Sequence, residues 1–249
     1  MEKKPNEILE IIKAGEHLFL PHISVDTVIF GYETNELQVL LLEVSDNLWM
    51  LPGGYVLKEE DLDTAAQRNV VERIGMENLF SKQFHTFGQN DRSFKNEMEQ
   101  LFSHLGLPKI AGLWIQERFI SVAYYALVNK KLTHPQPNFF ARRCQWHNIQ
   151  QLPKLLLDHE TIIRAALAAF QSDLSSYPLA YHLFAEKFTM PELHGAFQTI
   201  HQKQLDRSRF QKKMFEYDIF ERLEPRGGVA HRRPYLYRHR EAKNLIKQL

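Results

Sequence analysis

The residues best suited to chemistry lie between Gly54 and Met76, in the run GYVLKEEDLDTAAQRNVVERIGM. The Gly53-Gly54 pair follows Leu51-Pro52 and is read as a loop that lets the backbone approach a ligand closely. Glu59, Glu60 and Asp61 come next, followed by a segment of helical period from Leu62 to Arg73. On a helix, positions 69, 72 and 73 share one face. Three glutamates there would hold Mg²⁺, a hard ion that takes oxygen ligands, and the ion would neutralise a diphosphate and activate water. The face instead carries Asn69, Glu72 and Arg73, whose formal charges cancel. A cation at position 73 repels divalent metal: at about 4 Å and an effective dielectric of about 20, each unit-charge contact is worth roughly 4 kcal/mol. Glu59, Glu60, Asp61 and Glu72 offer at most one weak site. The face therefore does not suit a divalent metal. No catalytic residue, metal ligand or cofactor is assigned, and the chain is not expected to be an enzyme.

The elements that must position this segment are legible on either side of it. Asn6 to Ala14 reads as an amphipathic helix through Ile8, Leu9, Ile11 and Ile12. Ser24–Gly31 and Leu37–Leu42 are aliphatic and β-branched runs around the turn-like YETNE, which predicts a hairpin. Trp49 to Pro52 reads as a strand ending in the glycine loop. Phe84–Gly88 and Ile120–Val128 are further strands, and a long helix follows from about His159 to Phe170. Strands interleaved with helices, without regular alternation, predict an α+β domain with a mixed sheet. The polar segment QSDLSSYP (171–178) is read as the linker that ends it.

Beyond that segment the pattern changes. Thr189-Met190-Pro191-Glu192 is a capping box, opening a helix to about His201 with Leu193, Phe197 and Ile200 at core spacing. Asp206 caps a second helix, Arg207 to about Tyr217, whose Phe210 and Met214 point inward. That leaves Arg207, Ser208, Arg209, Lys212 and Lys213 outside. Two helices joined by a short turn, the second basic near its start, suit the DNA major groove. The stretch 224–238, with Arg232 and Arg233, reads as a β-hairpin wing whose basic tip touches phosphates or the minor groove.

Charge agrees with this division. Residues 171–249 hold 14 Lys/Arg against 9 Asp/Glu, and the rest hold 17 against 21, so a basic C-terminal part follows an acidic one. One cysteine, Cys144, excludes an intramolecular disulfide. No apolar run approaches membrane-spanning length, and a cytoplasmic protein is expected. The twelve histidines show no compact metal-ligand spacing.

The run from Gly54 to Met76 resembles the Nudix box, G-x5-E-x7-R-E-U-x-E-E-x-G-U with U aliphatic. Gly54, Glu60, Arg68, Val70, Glu72, Gly75 and Met76 stand in register, while Asn69 and Arg73 replace glutamates. With the basic module, nearly the whole chain resembles the Nudix-related transcriptional regulators, the NrtR type and its sugar-responsive relatives. The likeness extends to VDTVIFGYE, LQVLLLE, LPGGYV, TFGQNDR, ERFISVAYYALVN, LPKLLLDH, FTMPELHGAFQTIHQKQLDRSRFQKKM and RRPYLYR.

The resemblance implies an N-terminal helical extension over residues 1–20, a Nudix-like mixed-sheet effector-sensing domain with flanking helices over 21–172, and a winged helix-turn-helix DNA-binding domain over 173–249. It implies a homodimer on double-stranded operator DNA, responding to a pentose, a sugar phosphate or an ADP-ribose-like metabolite. The alternative is a Mg²⁺-dependent hydrolase of a nucleoside diphosphate sugar using Glu60 and Glu72. By the same resemblance the effector site lies near the Gly-Gly loop. Asp26, Trp49, Gly54, Lys58, Arg92, Arg118 and Ser121 are nominated for it, with Trp49 stacking on a sugar or base and the arginines holding phosphate or hydroxyl oxygens. Two departures stand out. Residues 93–116 form an insertion with a helix from Lys95 to His104, to serve as a lid, a dimer arm or an inert surface element. Glu43-Val44 occupies the place of a basic pair, which favours a sugar over a phosphate-bearing effector.

Overall fold

The computed structural model describes residues 5–77, 79–108, 112–138, 140–227 and 233–240. A hairpin organises it: β1 (Phe19–Glu33) and β2 (Glu36–Ser45) pair antiparallel from Phe30↔Val39 to Glu33↔Glu36. Thr34 and Asn35 turn the chain with φ of 51° and 60°, the left-handed angles that two-residue hairpins need. The parallel partner of β1 is β6 (Ile120–Val128), and β6 pairs antiparallel with β5 (Phe80–Phe87). β2 also carries β3 (Leu48–Met50) and β7 (Arg143–Asn148), giving a seven-stranded mixed sheet.

The Gly-Gly pair differs from its expected form. Gly53 and Gly54 open a strand, β4 (Gly53–Leu57), paired antiparallel with the first half of β1 at Asp26↔Gly53 and Val25↔Gly54. Their φ angles are not in the left-handed region; what they supply is close approach. A Cβ on Gly53 would stand 2.5 Å from Asp26 Oδ1, and one on Gly54 would overlap the Asn69 carboxamide.

The helix of the box, α2 (Leu62–Ile74), starts where the Asp61 side chain accepts the Thr64 N–H at 2.7 Å. It ends at Gly75, whose φ of 68° makes the left-handed cap. Ala65, Ala66, Val70 and Ile74 bury its inner face. Two helices lie outside the sheet's edge: α1 (Pro5–Leu18), and α3 (Lys95–His104) in the insertion. Ile8, Leu9 and Ile12 pack with Phe102, Leu107, Leu113 and Ile115, so the insertion shares a core with α1. No helix among the described residues is long and apolar enough to cross a membrane.

The expected linker is not a linker. α4 runs unbroken from His159 to Ser176, through most of QSDLSSYP. Leu174 continues the four-residue repeat of Ile162, Ala166 and Phe170, all fully buried, so one apolar stripe crosses the polar segment. The polar residues there are occupied as well: Gln171 Nε2 donates to Ile200 O at 2.6 Å. Asp173 accepts from Lys82 Nζ at 2.9 Å and from the Tyr125 hydroxyl at 2.6 Å.

The C-terminal elements follow the sequence closely. α5 (Met190–His201) opens on a capping box, with Thr189 N–H and hydroxyl both donating to Glu192. Asp206 accepts the Arg209 N–H at 2.7 Å and starts α6 (Arg207–Glu216), where Phe210 and Met214 are buried. A three-stranded antiparallel sheet backs them: β8 (Phe188–Thr189), β9 (Phe220–Pro225) and β10 (Tyr235–His239). Arg226 donates twice to Glu192, both at 2.9 Å, fixing the root of the wing to the start of α5. One buried cluster runs from Phe30, Tyr125 and Phe170 to Leu193, Phe197, Phe210 and Tyr237, so both halves share a core.

Candidate functional site

A cavity of about 950 Å³ lies over the first half of β1, between β4, α2, α4 and the inserted segment. Its floor is a buried charged cluster. Asp26 on β1 accepts a short hydrogen bond from the Ser121 hydroxyl on the adjacent β6. Arg92, 7% exposed, donates to both oxygens of Asp158 at 2.7 and 3.1 Å and to Phe119 O at 2.7 Å, and lies 4.0 Å from Asp26. His159 accepts the Leu51 N–H on Nδ1 at 3.0 Å, which leaves the proton on Nε2, 3.9 Å from Asp26. Burial pushes this imidazole below its usual pKa, against the pull of Asp26, and keeps it neutral.

The wall opposite is the outer face of α2. Arg68 donates to Glu60 at 2.5 and 3.1 Å and to Tyr55 O at 2.9 Å. The guanidinium holds Glu60 below the usual carboxylate range, helped by the Leu57 N–H. Arg73 donates to Glu72 Oε2 at 3.1 Å and to Gln136 O at 3.3 Å. Asn69 is 4% exposed with its carboxamide oxygen against Gly54, and its Nδ2 has no hydrogen-bond partner among the described residues. This donor set does not fit Mg²⁺: one carboxylate is committed to Arg68, the other lies beside two guanidinium groups, and position 69 is a neutral amide. Gly54→Ala is expected to lose about 1–3 kcal/mol in denaturant unfolding, because its Cβ lands on that amide. Combining it with Asn69→Ala should restore most of the loss; equal stability of the single and double variants would contradict this contact.

The roof is apolar and comes from the insertion and α1. Trp114 packs on Tyr55 at 4.6 Å, on Phe119 at 5.7 Å and on Phe19 at 6.0 Å between ring centroids, and its indole N–H donates to Ile12 O at 2.7 Å. Met98, Leu101 and Trp114 line the cavity, so the insertion contributes to its wall.

The nominated effector residues separate into two groups. Asp26, Gly54 and Arg92 line the cavity, and Ser121 supports Asp26 from behind. Trp49, Lys58 and Arg118 do not line it. Trp49 is 5% exposed in the sheet core, edge-on to His147 at 4.2 Å, so stacking on a ligand is ruled out for it. Lys58 is exposed on the turn after β4, and Arg118 is exposed with its guanidinium on Gln89 O at 3.1 Å. Glu43 is buried against Arg143 and is likewise absent from the lining, so its charge has no bearing on the choice between sugar and phosphate.

On the C-terminal module, Arg207, Ser208, Arg209 and Lys212 form an exposed stripe on α6, with Arg233 exposed beside the wing. Lys213 departs from expectation: its ammonium donates to Ser175 O at 3.1 Å and lies 6.0 Å over the Tyr217 ring, so it faces α4. Arg232 lies outside the described residues.

The NUDIX domain model matches residues 20–170, and the model of the NrtR DNA-binding winged helix domain matches residues 180–239. The chain belongs to the NUDIX domain family. An ADPR responsive transcriptional repressor of Acinetobacter baylyi (strain ATCC 33305 / BD413 / ADP1) is 27% identical over 227 residues, 88% of this chain and 82% of that one. The crystal structure of Shewanella oneidensis NrtR with a 27mer DNA aligns with TM-score 0.67 and 21% identity, covering 88% of this chain and 93% of that one. A MutT/nudix family protein from Enterococcus faecalis aligns with TM-score 0.65 and 19% identity, over 94% and 93%. The fold is thus a Nudix domain followed by an NrtR-type winged helix.

Within this Nudix domain, sequence reasoning missed Asp158, His159, Trp114 and Gln136. For Asp158 and His159 a usable signal is present: an Asp-His pair opening a helix that follows apolar sequence. Nothing local marks Trp114 or Gln136, which reach the cavity only through the path of the intervening chain.

Proposed function

We propose that this chain is an NrtR-type transcriptional repressor whose Nudix domain binds ADP-ribose or a closely related metabolite and whose winged helix binds operator DNA. The observation that carries this reading is the exposed basic stripe on α6, built on the same core as a cavity whose helix face does not fit a catalytic metal. Residues 21–172 act as the sensing part and 173–249 as the DNA-binding part, with residues 1–20 as an extension and α4 common to both. The protein works in the cytoplasm as a homodimer, and ligand binding favours one of two DNA-binding states.

The hydrolase alternative requires Glu60 and Glu72 to hold Mg²⁺, yet Glu60 is engaged by Arg68 and Glu72 lies beside Arg73. We therefore assign no hydrolysis to the box. Fluorescence anisotropy of the full chain on duplex DNA from its own upstream region tests the reading. With about six phosphates neutralised, log affinity should fall against log salt with a slope near −5, and ADP-ribose should shift the binding curve. Absence of salt-sensitive duplex binding would sink the proposal, as would Mg²⁺-dependent turnover of ADP-ribose that is lost in Glu72→Gln.

A further inference from the structure

We propose that Asn69 and Arg73, with Arg68, form a receptor that takes the diphosphate of the effector directly, so that binding needs no divalent cation. This rests on the reading of the cavity as the effector site and adds how its charged face works. Carboxylates at positions 69 and 73 would hold a divalent metal, which would supply positive charge to a diphosphate. Here the cations belong to the protein.

The observations converge on one patch of the cavity wall. Asn69 is 4% exposed, and its amide Nδ2 has no hydrogen-bond partner among the described residues while its oxygen rests on Gly54. A buried donor left without an acceptor beside an open cavity is suited to a ligand oxygen. One turn further along α2, the Arg73 side chain is 12% exposed, and its guanidinium is steadied by Gln136 O and Glu72. Arg68, on the same face, is held by Glu60 and Tyr55 O and lies 3.7 Å from Glu72. Glu72 pairs with both guanidinium groups, and its side chain is 48% exposed. It can swing into water when a phosphate takes its place. Planar guanidinium groups bind phosphate oxygens in pairs, and the amide adds a third donor at fixed position. The substitutions that spoil metal binding thus supply the charge that the metal would have brought.

Calorimetry on the full chain with ADP-ribose, in EDTA and in excess Mg²⁺, tests this. Affinity should agree within about twofold between the two buffers, and Arg73→Ala should weaken binding by about tenfold or more in both. Adenosine, which has no phosphate, should bind Arg73→Ala as it binds the parent chain, which separates a lost phosphate contact from a damaged fold. The double variant Asn69→Glu/Arg73→Glu should bind ADP-ribose only when Mg²⁺ is present. A requirement for Mg²⁺ in the parent chain, or unchanged ADP-ribose affinity in Arg73→Ala, overturns the inference and leaves the repressor reading standing. No ADP-ribose binding in either buffer overturns the effector assignment itself, and this inference with it.

Discussion

Replacing Arg207, Arg209 and Lys212 together by alanine is expected to reduce duplex affinity about 10²-fold at 0.15 M salt, close to 2.7 kcal/mol. Counterion release sets this magnitude. Each phosphate contact contributes about 0.9 to the salt slope, so losing three lowers its magnitude by roughly 2.7. The three side chains are exposed on α6, while Phe210 and Met214 anchor that helix from beneath, so the fold should be unaffected. Lys213→Ala serves as an internal comparison, because its ammonium is spent on Ser175 O at the end of α4. It should change the salt slope by much less than Lys212→Ala does. If the triple variant keeps the parent slope, α6 does not face the DNA backbone.

Arg92→Met should cost about 3–5 kcal/mol of folding stability and lower the melting temperature by about 6–20 °C. Arg92 makes a bidentate pair with Asp158, caps Phe119 O and stands next to Asp26, all within the floor of the cavity. Its removal strands one carboxylate and leaves another with only Ser121 and a distant neutral imidazole. Breaking a buried pair at one end is worse than removing both ends, so Arg92→Met/Asp158→Leu should recover part of the loss. Thermal denaturation followed by circular dichroism checks both variants. A single variant melting within about 1 °C of the parent would show the cluster to be structurally dispensable.

Much of this was legible because it is written locally. Asp61 and Gly75 delimit α2, Thr189 and Glu192 open α5, and Asp206 opens α6, and in each case the cap lies within a few residues of the helix it serves. The α3 helix follows from its own periodicity, and the β6 strand from a nearly continuous apolar run. What was not legible depends on long-range pairing. The glycines became a strand because β1 offers an edge to them, and Trp49 became core because β7 and the chain near Leu155 close over it. The cavity floor joins residues 26, 92, 121, 158 and 159, which no spacing rule connects. Residues 171–176 are helix and not linker because one buried leucine, Leu174, continues the apolar stripe among five polar neighbours.

That same helix decides how the molecule can be handled. A cut at residue 172 would fall inside α4 and divide a single apolar stripe. It would bare Phe170 on one fragment and Leu174, Leu179 and Leu183 on the other, all of them normally out of water. Neither fragment is then a sound reagent: each would carry a sticky wound, and a ligand screen or DNA assay run on it would report on that wound as much as on the protein. Laboratory work on this protein therefore begins with the undivided polypeptide.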